Sequence, residues 1–256
     1  MSRYAQPAST YMRSPVRTVS AGTDLQAVLL LLNRYRISGV AVSERDEAGS
    51  PVVGVVTRTD LLALEEAPRP GDTRTAGEIM TRGAIAVPSD TPLRDVAARM
   101  VDAHIHRVFV VDDDRLVGVV TPHELIRAIV DARDPTPVAE WVSRPVLAVL
   151  PDTTLEAALA HLDETGVTGL VVVEDEWPIG VFTQREALAF RRLPKDTQIE
   201  GLYSPGLVCV STTTALHRAA TQALAARVKR VLVMDGCEVD GIVSGLDIAR
   251  AVAAET

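Results

Sequence analysis

The chain has 256 residues, of which 47% are hydrophobic and 23% charged, the ordinary range for a folded globular protein. Its net charge of −8 argues against non-specific nucleic-acid binding, which depends on basic surface that displaces counterions from the phosphate backbone. The two cysteines are too few for a disulfide framework. The sequence shows no signal peptide and no apolar run of the roughly 20 residues that span a bilayer. We therefore expect a cytoplasmic protein with no nucleic-acid or membrane partner.

One phrase recurs four times along the chain, at a period of roughly 62 residues. It reads GVVTRTD at 54–60, GVVTPHE at 118–124, GVFTQRE at 180–186 and GIVSGLD at 241–247. An opening phrase (YMRSPV, IMTRGAI, WVSRPV, LYSPGL) recurs at the same period. The chain is therefore predicted to contain four copies of one structural unit.

The elements follow the same order within each unit. After the opening phrase and a short apolar strand comes a turn, and then a helix with apolar periodicity, such as TDLQAVLLLL. Gln26 and Glu156 are expected to complete capping boxes with the N-cap residues, and Pro92 to be the first residue of its helix. A β-branched strand, a charged hairpin, the glycine-led strand and a second helix complete the unit, which predicts an α+β fold of strand-helix-strand-strand-helix order. The expected N-caps of the first helices are Thr23, Thr91, Thr153 and Thr214.

The units are expected to pair, because one unit of this size buries too little apolar surface to be stable alone. Linkers rich in proline, glycine and charged residues separate them. These linkers predict a flexible N-terminus at 1–10, repeats at 11–66, 77–132, 138–193 and 200–254, and two modules of paired repeats at 11–132 and 138–254.

The four-unit pattern resembles the CBS domain, the repeat named after cystathionine β-synthase. The resemblance rests on the openings YMRSPV and IMTRGAI, the strand and acidic hairpin RVFVVDDD, and the glycine-led phrase, and it covers residues 11–252. It implies four tandem CBS repeats, paired through their sheets into two modules with two clefts at each pair interface. Four repeats in one chain are similar to the nucleotide-sensing subunit of AMP-activated protein kinase, in which two modules form a disc. Here a disc could form by pairing of the modules within one chain or in a homodimer.

Two interpretations of the hydroxyl-x-x-acid step in the glycine-led phrase stay open. The first is a capping box, which glutamate is expected to close better than the shorter aspartate. The second is implied by the resemblance: the aspartate accepts hydrogen bonds from both ribose hydroxyls of an adenine nucleotide, and the hydroxyl residue contacts phosphate. Two pairs match that motif, Thr57–Asp60 and Ser244–Asp247, and two pairs carry glutamate and are weaker candidates, Thr121–Glu124 and Thr183–Glu186.

Basic residues precede the middle strand in two of the units. His106 and Arg107 stand there in unit two, where the resemblance implies contact with the nucleotide phosphates, and Lys229 and Arg230 match the same place in unit four. Arg58, beside Thr57, is a further phosphate candidate. These side chains could equally be solvated or pair with nearby acids. The resemblance also implies that strand backbone, including that of Val40, holds the adenine.

No catalytic set is recognisable: the chain has no nucleophile elbow, no P-loop and no pair of residues at metal-ligand spacing. We therefore expect no enzyme activity and no required cofactor. The favoured hypothesis is a regulatory protein that binds AMP, ADP or ATP in clefts between paired repeats and passes the signal to an unidentified protein effector. The alternative is an interaction scaffold that acts without a ligand and has degenerate sites.

Overall fold

The computed structural model describes residues 3–44 and 51–254 of the chain. The α-helices are α1 Ala8–Tyr11, α2 Leu25–Arg34, α3 Arg58–Leu62, α4 Ala76–Ile79, α5 Leu93–Asp102, α6 Pro122–Asp131, α7 Leu155–Thr165, α8 Gln184–Phe190, α9 Leu216–Ala226 and α10 Gly245–Ala253, and Val138–Trp141 is a 3-10 helix. The strands are β1 Thr18–Ser20, β2 Gly39–Ser43, β3 Val52–Thr57, β4 Thr81–Arg82, β5 Ala86–Val87, β6 Val108–Asp112, β7 Arg115–Val120, β8 Ala148–Val149, β9 Gly169–Glu174, β10 Trp177–Thr183, β11 Cys209–Ser211, β12 Val231–Asp235 and β13 Glu238–Val243.

The strand-helix-strand-strand-helix order is confirmed in all four repeats. In repeat 2, for example, the order is β5, α5, β6, β7 and α6. The first strand of each sheet runs parallel to the middle strand, and the third runs antiparallel to it. In β6, the consecutive residues Val108, Phe109 and Val110 are all buried, because the middle strand is covered on both faces.

The chain divides into two compact units, each of which combines two repeats that are not consecutive. Unit 1 is Met1–Val16, Ile85–Val146 and Gly206–Thr256, and unit 2 is Arg17–Ala84 and Leu147–Pro205. In unit 1, helices of repeats 2 and 4 share one core, which includes Val96, Ile129, Ala220 and Val252. Unit 2 has two apolar clusters among its described residues, one mainly of repeat 1, which also includes Leu188 of repeat 3, and one mainly of repeat 3.

The segment that opens each repeat packs on another repeat. We call residues 4–16, 72–84, 134–146 and 195–205 the opening segments. In repeat 2 the opening segment pairs with β3 of repeat 1, and in repeat 1 Arg13 bridges to Val119 of repeat 2. Repeats 3 and 4 exchange their openings in the same way, through the bridges Ser143–Ile242 and Ser204–Val181. The exchange links consecutive repeats, while the sheet pairing within modules 11–132 and 138–254 stays a prediction.

The exchanged opening segments explain why each recurrent phrase begins with glycine. A Cβ atom at Gly54 would lie 2.7 Å from the carbonyl oxygen of Thr81, which belongs to an opening segment. A Cβ at Gly241 would lie 2.9 Å from Cβ of Val142 in another opening segment. Gly118 and Gly180 lie against Met12 and Tyr203 in the same way. Glycine is needed at these positions because the opening segment leaves no room for a side chain.

The first helices begin one residue later than predicted, and the capping boxes predicted with Gln26 and Glu156 are wrong. Pro92 is an N-cap instead of the first helical residue. Opening segments explain the difference: the Leu216 amide donates to the Thr136 carbonyl at 2.8 Å, and the Val138 amide donates to the Thr214 carbonyl at 2.8 Å. Backbone carbonyls thus satisfy the free amides at the helix start. The observed N-caps are Asp24, Pro92, Thr154 and Ala215.

Of the segment predicted to be flexible at residues 1–10, the structure describes residues 3–10, and Tyr4 and Ala8 there are buried. Tyr4 is only 1% exposed, and its hydroxyl donates a 2.7 Å hydrogen bond to Oδ2 of Asp134, which is itself buried. The Leu93 amide donates to the Gln6 carbonyl at 2.8 Å. The composition of this segment is polar, but its tyrosine supplies both apolar area and a polar tip for a buried acid.

Candidate functional site

All four hydroxyl-x-x-acid steps form closed capping boxes at the start of α3, α6, α8 and α10. The N-cap amide donates to the acid at 2.6 Å in Thr57–Asp60 and Ser244–Asp247, at 2.9 Å in Thr121–Glu124 and at 3.2 Å in Thr183–Glu186. The expectation that aspartate closes the box less well is therefore wrong. All four N-cap residues have extended backbone, which brings the amide within reach of the shorter side chain.

The Thr57–Asp60 pair, in unit 2, keeps one carboxylate oxygen available. Oδ2 of Asp60 accepts from the Thr57 amide and from the Thr57 hydroxyl at 2.7 Å. Oδ1 accepts no hydrogen bond from any residue in the described ranges 3–44 and 51–254, and the side chain is half-buried. Val40 is buried in β2 and pairs with Val56, one residue before Thr57. Asp60 could thus accept a further hydrogen bond without losing its cap.

Arg58 is buried and hydrogen-bonded to the end of α2. It is 5% exposed, and its guanidinium donates to Oδ1 of Asn33 at 3.0 Å and to the Leu32 carbonyl at 3.2 Å, both at the end of α2. Burial, together with the charge of Arg185, lowers the pKa of the Arg58 guanidinium. The role predicted for Arg58 as a phosphate ligand does not fit this geometry, because its donors already satisfy carbonyls in the helix end.

The two glutamate steps are more enclosed than the Asp60 step. Glu124 is 3% exposed and accepts from the Thr121 hydroxyl at 2.5 Å. Glu186 is 6% exposed; one of its oxygens closes the box with Thr183, and the other accepts from Nε of Arg185 at 2.8 Å. Their contacts account for both residues as structural caps.

In unit 1, the two predicted basic pairs meet around one histidine. His106 lies against the start of α10, since a Cβ at Gly245 would be 3.1 Å from Cδ2 of the ring. Burial, followed by the charges of Arg107, Arg230 and Lys229, lowers the pKa of His106 to about 4, while the charge of Asp247 opposes them. Repeats 2 and 4 thus bring Arg107, Lys229 and Arg230 into electrostatic reach of His106, which is neutral at pH 7.

Asp247 lies beside this cluster, and both of its carboxylate oxygens accept hydrogen bonds. Oδ2 accepts from the Ser244 amide and from the Ser244 hydroxyl at 2.8 Å. Oδ1 accepts from the Ser143 hydroxyl at 2.6 Å and from the guanidinium of Arg250. The side chain of Asp247 is 2% exposed, whereas that of Arg250 is 46% exposed.

Sequence reasoning missed Ser143 and Arg250 as partners of Asp247. Arg250 follows Asp247 by three residues on α10, a spacing at which opposite charges meet on a helix surface, so this contact was visible in the sequence. Ser143 belongs to an opening segment and reaches Asp247 only because the openings are exchanged, which no local pattern indicates.

Among the residues that the structure describes, no helix has the length and apolar character of a membrane-spanning segment. Within the same residues, no group of three or more His, Cys, Asp or Glu side chains is arranged to hold a metal ion.

The chain matches a family model described as "CBS domain" at residues 8–66, 76–131 and 138–192. A protein of 33.4 kDa from a ribosomal RNA operon of Thermofilum pendens is 27% identical over 195 residues, which are 70% of this chain and 61% of that protein. Protein MJ1404 of Methanocaldococcus jannaschii is 22% identical over 97% of this chain and 62% of its own length. The chain therefore spans less than two thirds of the length of these curated relatives.

The fold is also similar to that of a solved structure. Protein MJ1225 of Methanocaldococcus jannaschii, described as a candidate archaeal homologue of g-AMPK, superposes with a TM-score of 0.83. The alignment covers 96% of this chain and 99% of that protein, at 15% sequence identity. This likeness extends over all four repeats, including repeat 4, which the family model does not match.

Proposed function

Because the chain belongs to the CBS domain family, we propose that it is a regulatory protein that binds an adenine nucleotide (AMP, ADP or ATP) and passes the signal to a partner protein. The observation that carries the proposal is in unit 2, where Oδ1 of Asp60 accepts no hydrogen bond from the described residues while Oδ2 closes the capping box. Unit 1 separately holds a basic cluster, in which Arg107, Lys229 and Arg230 lie within electrostatic reach of His106. In a chain with a net charge of −8, a concentration of cations at one place favours an anionic ligand.

Phosphate is the anion that this cluster suits best. Arginine guanidinium groups bind phosphate oxygens with paired donors, and lysine adds a point charge. His106 lies against Gly245, at the start of α10, where backbone amides and the helix dipole also attract phosphate. Binding of a phosphate would favour the charged form of His106 and raise its pKa.

The Thr57–Asp60 pair supports recognition of the ribose. A vicinal diol donates two hydrogen bonds, and a carboxylate oxygen with free lone pairs is a suitable acceptor. Oδ1 of Asp60 offers such an acceptor, while Oδ2 keeps the start of α3 capped. We propose that this pair binds ribose, and that the backbone of β2 near Val40 contacts the adenine.

In this proposal the chain catalyses no reaction, needs no cofactor and works in the cytoplasm. A nucleotide changes the arrangement of the repeats only as far as it binds one arrangement more tightly than another. The protein effector that reads this change is also part of the proposal.

A second candidate function is a scaffold that binds partners without a nucleotide. It is favoured by the closure of all four capping boxes, since a cap alone explains the hydroxyl and the acid. A scaffold predicts that adenine nucleotides leave the thermal stability unchanged. A ligand at 100 times its Kd should instead add about 2.7 kcal/mol to the free energy of unfolding.

The proposal is tested by calorimetric titration of AMP, ADP and ATP into the wild-type chain and the Asp60→Asn variant. Asparagine keeps an acceptor for the cap but loses the negative charge, so we expect affinity to fall by at least tenfold. Glu78→Gln is the matched control, because Thr75 and Glu78 form the same capping box outside the candidate site. Failure of all three nucleotides to bind the wild type would refute the proposal and leave the scaffold.

A further inference from the structure

The two aspartates that match the ribose motif differ in how many of their acceptors are in use. Oδ2 of Asp247 accepts the hydrogen bonds of the capping box, and Oδ1 accepts hydrogen bonds from Ser143 and Arg250. The Ser143 hydroxyl also accepts from Arg250 at 3.1 Å, so the three side chains form a closed triangle. With 2% of its side chain exposed, Asp247 is nearly sealed from solvent.

The corresponding positions around Asp60 carry no such triangle. Three residues after Asp60 the chain has Ala63, where repeat 4 has Arg250. Thr81 pairs with Val55 at the place where Ser143 bridges to Ile242, yet within the described part of the chain its hydroxyl makes no hydrogen bond to Asp60. The difference between the two motifs therefore lies in two identifiable side chains.

We propose that Arg250 and Ser143 close the Asp247 motif, so that Asp60 is the ribose acceptor and Asp247 is excluded from nucleotide binding. A ribose diol would have to displace a charged guanidinium and a hydroxyl from Oδ1 of Asp247. The Arg250 guanidinium brings a positive charge to the carboxylate in addition to its hydrogen bond, whereas ribose hydroxyls are neutral and lack this attraction, so they are poor competitors. This inference rests on the proposed function and names the side chains that determine which motif takes the ligand.

Repeat 2 supplies a matched control for the arginine. Arg127 follows Glu124 by three residues on α6, as Arg250 follows Asp247 on α10. The described residues show no ion pair between Arg127 and Glu124, whose Oε2 closes the box with Thr121. Removal of Arg127 therefore changes the net charge as removal of Arg250 does, without opening an aspartate.

The test is the number of nucleotides bound per chain, measured by equilibrium dialysis of radiolabelled AMP and ATP against the full chain. We expect the wild-type site at Asp60 to be lost in Asp60→Asn, and we expect Arg250→Met to bind one nucleotide more than the wild type, which Asp247→Asn removes again. Arg127→Met should keep the wild-type number of bound nucleotides. If Arg250→Met lowers stability too far, Ser143→Ala provides a milder opening and should raise the number of bound nucleotides above that of the wild type.

The outcomes separate this inference from the proposed function. Binding that depends on Asp60, with no second site in either Arg250→Met or Ser143→Ala, would overturn the closure alone. Two sites in the wild type, one of them lost in Asp247→Asn, would overturn it as well. Absence of binding in every form, the opened variants included, would overturn both the closure and the proposed function.

Discussion

The pKa of His106 depends on the charges that surround its ring. Its ring is enclosed at the start of α10, and burial followed by the charges of Arg107, Arg230 and Lys229 holds its pKa at about 4, against 6.5 for an unperturbed histidine. The folded chain therefore keeps this ring neutral at pH values where the unfolded chain protonates it. An anion placed in the cluster would reverse part of this shift.

Stability is predicted to fall as the pH decreases from about 6.5 to about 4, since the unfolded chain binds a proton at His106 in this range and the folded chain does not. Urea denaturation at a series of pH values should show a slope that His106→Gln removes, with a total effect on the order of 2 kcal/mol. Equal slopes in the two proteins would show that other groups cause the pH dependence.

ATP is predicted to raise the pKa of His106, because phosphate oxygens stabilise the imidazolium. The ring proton resonances of His106, assigned by comparison with His106→Gln, should titrate near pH 4 without ligand and at higher pH with saturating ATP. By linkage, the affinity for ATP should increase as the pH decreases through the same range. An unchanged titration midpoint at saturation would place the phosphates away from this residue.

The hydrogen bond from Tyr4 to Asp134 holds the N-terminal segment in place. Burial raises the pKa of the Asp134 carboxyl, but hydrogen bonds from Thr136 and Tyr4 and the charge of Arg3 outweigh it, so the pKa is lowered overall. Tyr4→Phe should reduce the free energy of unfolding by about 1–3 kcal/mol, because a buried carboxylate loses a donor. Tyr203→Phe is the control, since the Tyr203 hydroxyl makes no hydrogen bond to the residues that the structure describes. Equal stability of the two variants would contradict this account.

Among the elements, the exchanged opening segments set the local geometry of every repeat. They cap the first helices with backbone carbonyls and cover the glycines of the third strands. Local sequence patterns predicted the strands and helices correctly because apolar periodicity depends on neighbouring residues. The N-caps were misplaced by one residue, and the N-terminus was taken as flexible, because both features depend on partners from another repeat.

Gly54→Ala should destabilise the chain by about 1–3 kcal/mol, because its Cβ would contact the Thr81 carbonyl and backbone cannot move aside cheaply. Gly22→Ala is the matched control, since no atom lies within 4 Å of its Cβ position. We expect the control to stay within about 0.5 kcal/mol of wild type in chemical denaturation. Similar losses in the two variants would mean that the opening segment does not restrict Gly54.

Across the whole molecule, the sequence repeats identify candidate site residues but do not predict which other residues contact them. Four aligned phrases made the family resemblance and the candidate residues recognisable from sequence. They could not show that Asp247 is already bound by Ser143 and Arg250, or that Arg58 supports the end of α2, because these contacts join separate parts of the chain. The gathering of two basic pairs in one unit was also beyond sequence reasoning, which treated each pair within its own repeat.

Replacement of a cluster cation should affect ATP more than AMP, because ATP carries more phosphate charge. We expect Arg230→Gln to weaken ATP binding by about tenfold, or about 1.4 kcal/mol, with a smaller effect on AMP. Arg99→Gln, an exposed residue of α5, changes the net charge equally and serves as the control. Equal effects of the two variants in calorimetry would indicate a general charge effect instead of a phosphate site.

A crystal structure of the full chain grown with a mixture of AMP, ADP and ATP would test directly whether the chain binds adenine nucleotide through the Asp60 motif. We expect nucleotide density with both ribose hydroxyls within hydrogen-bond distance of Oδ1 of Asp60, while Asp247 keeps its bonds to Ser143 and Arg250. A structure with no nucleotide at Asp60 under saturating ligand, or with ribose bound at Asp247 instead, would contradict this expectation.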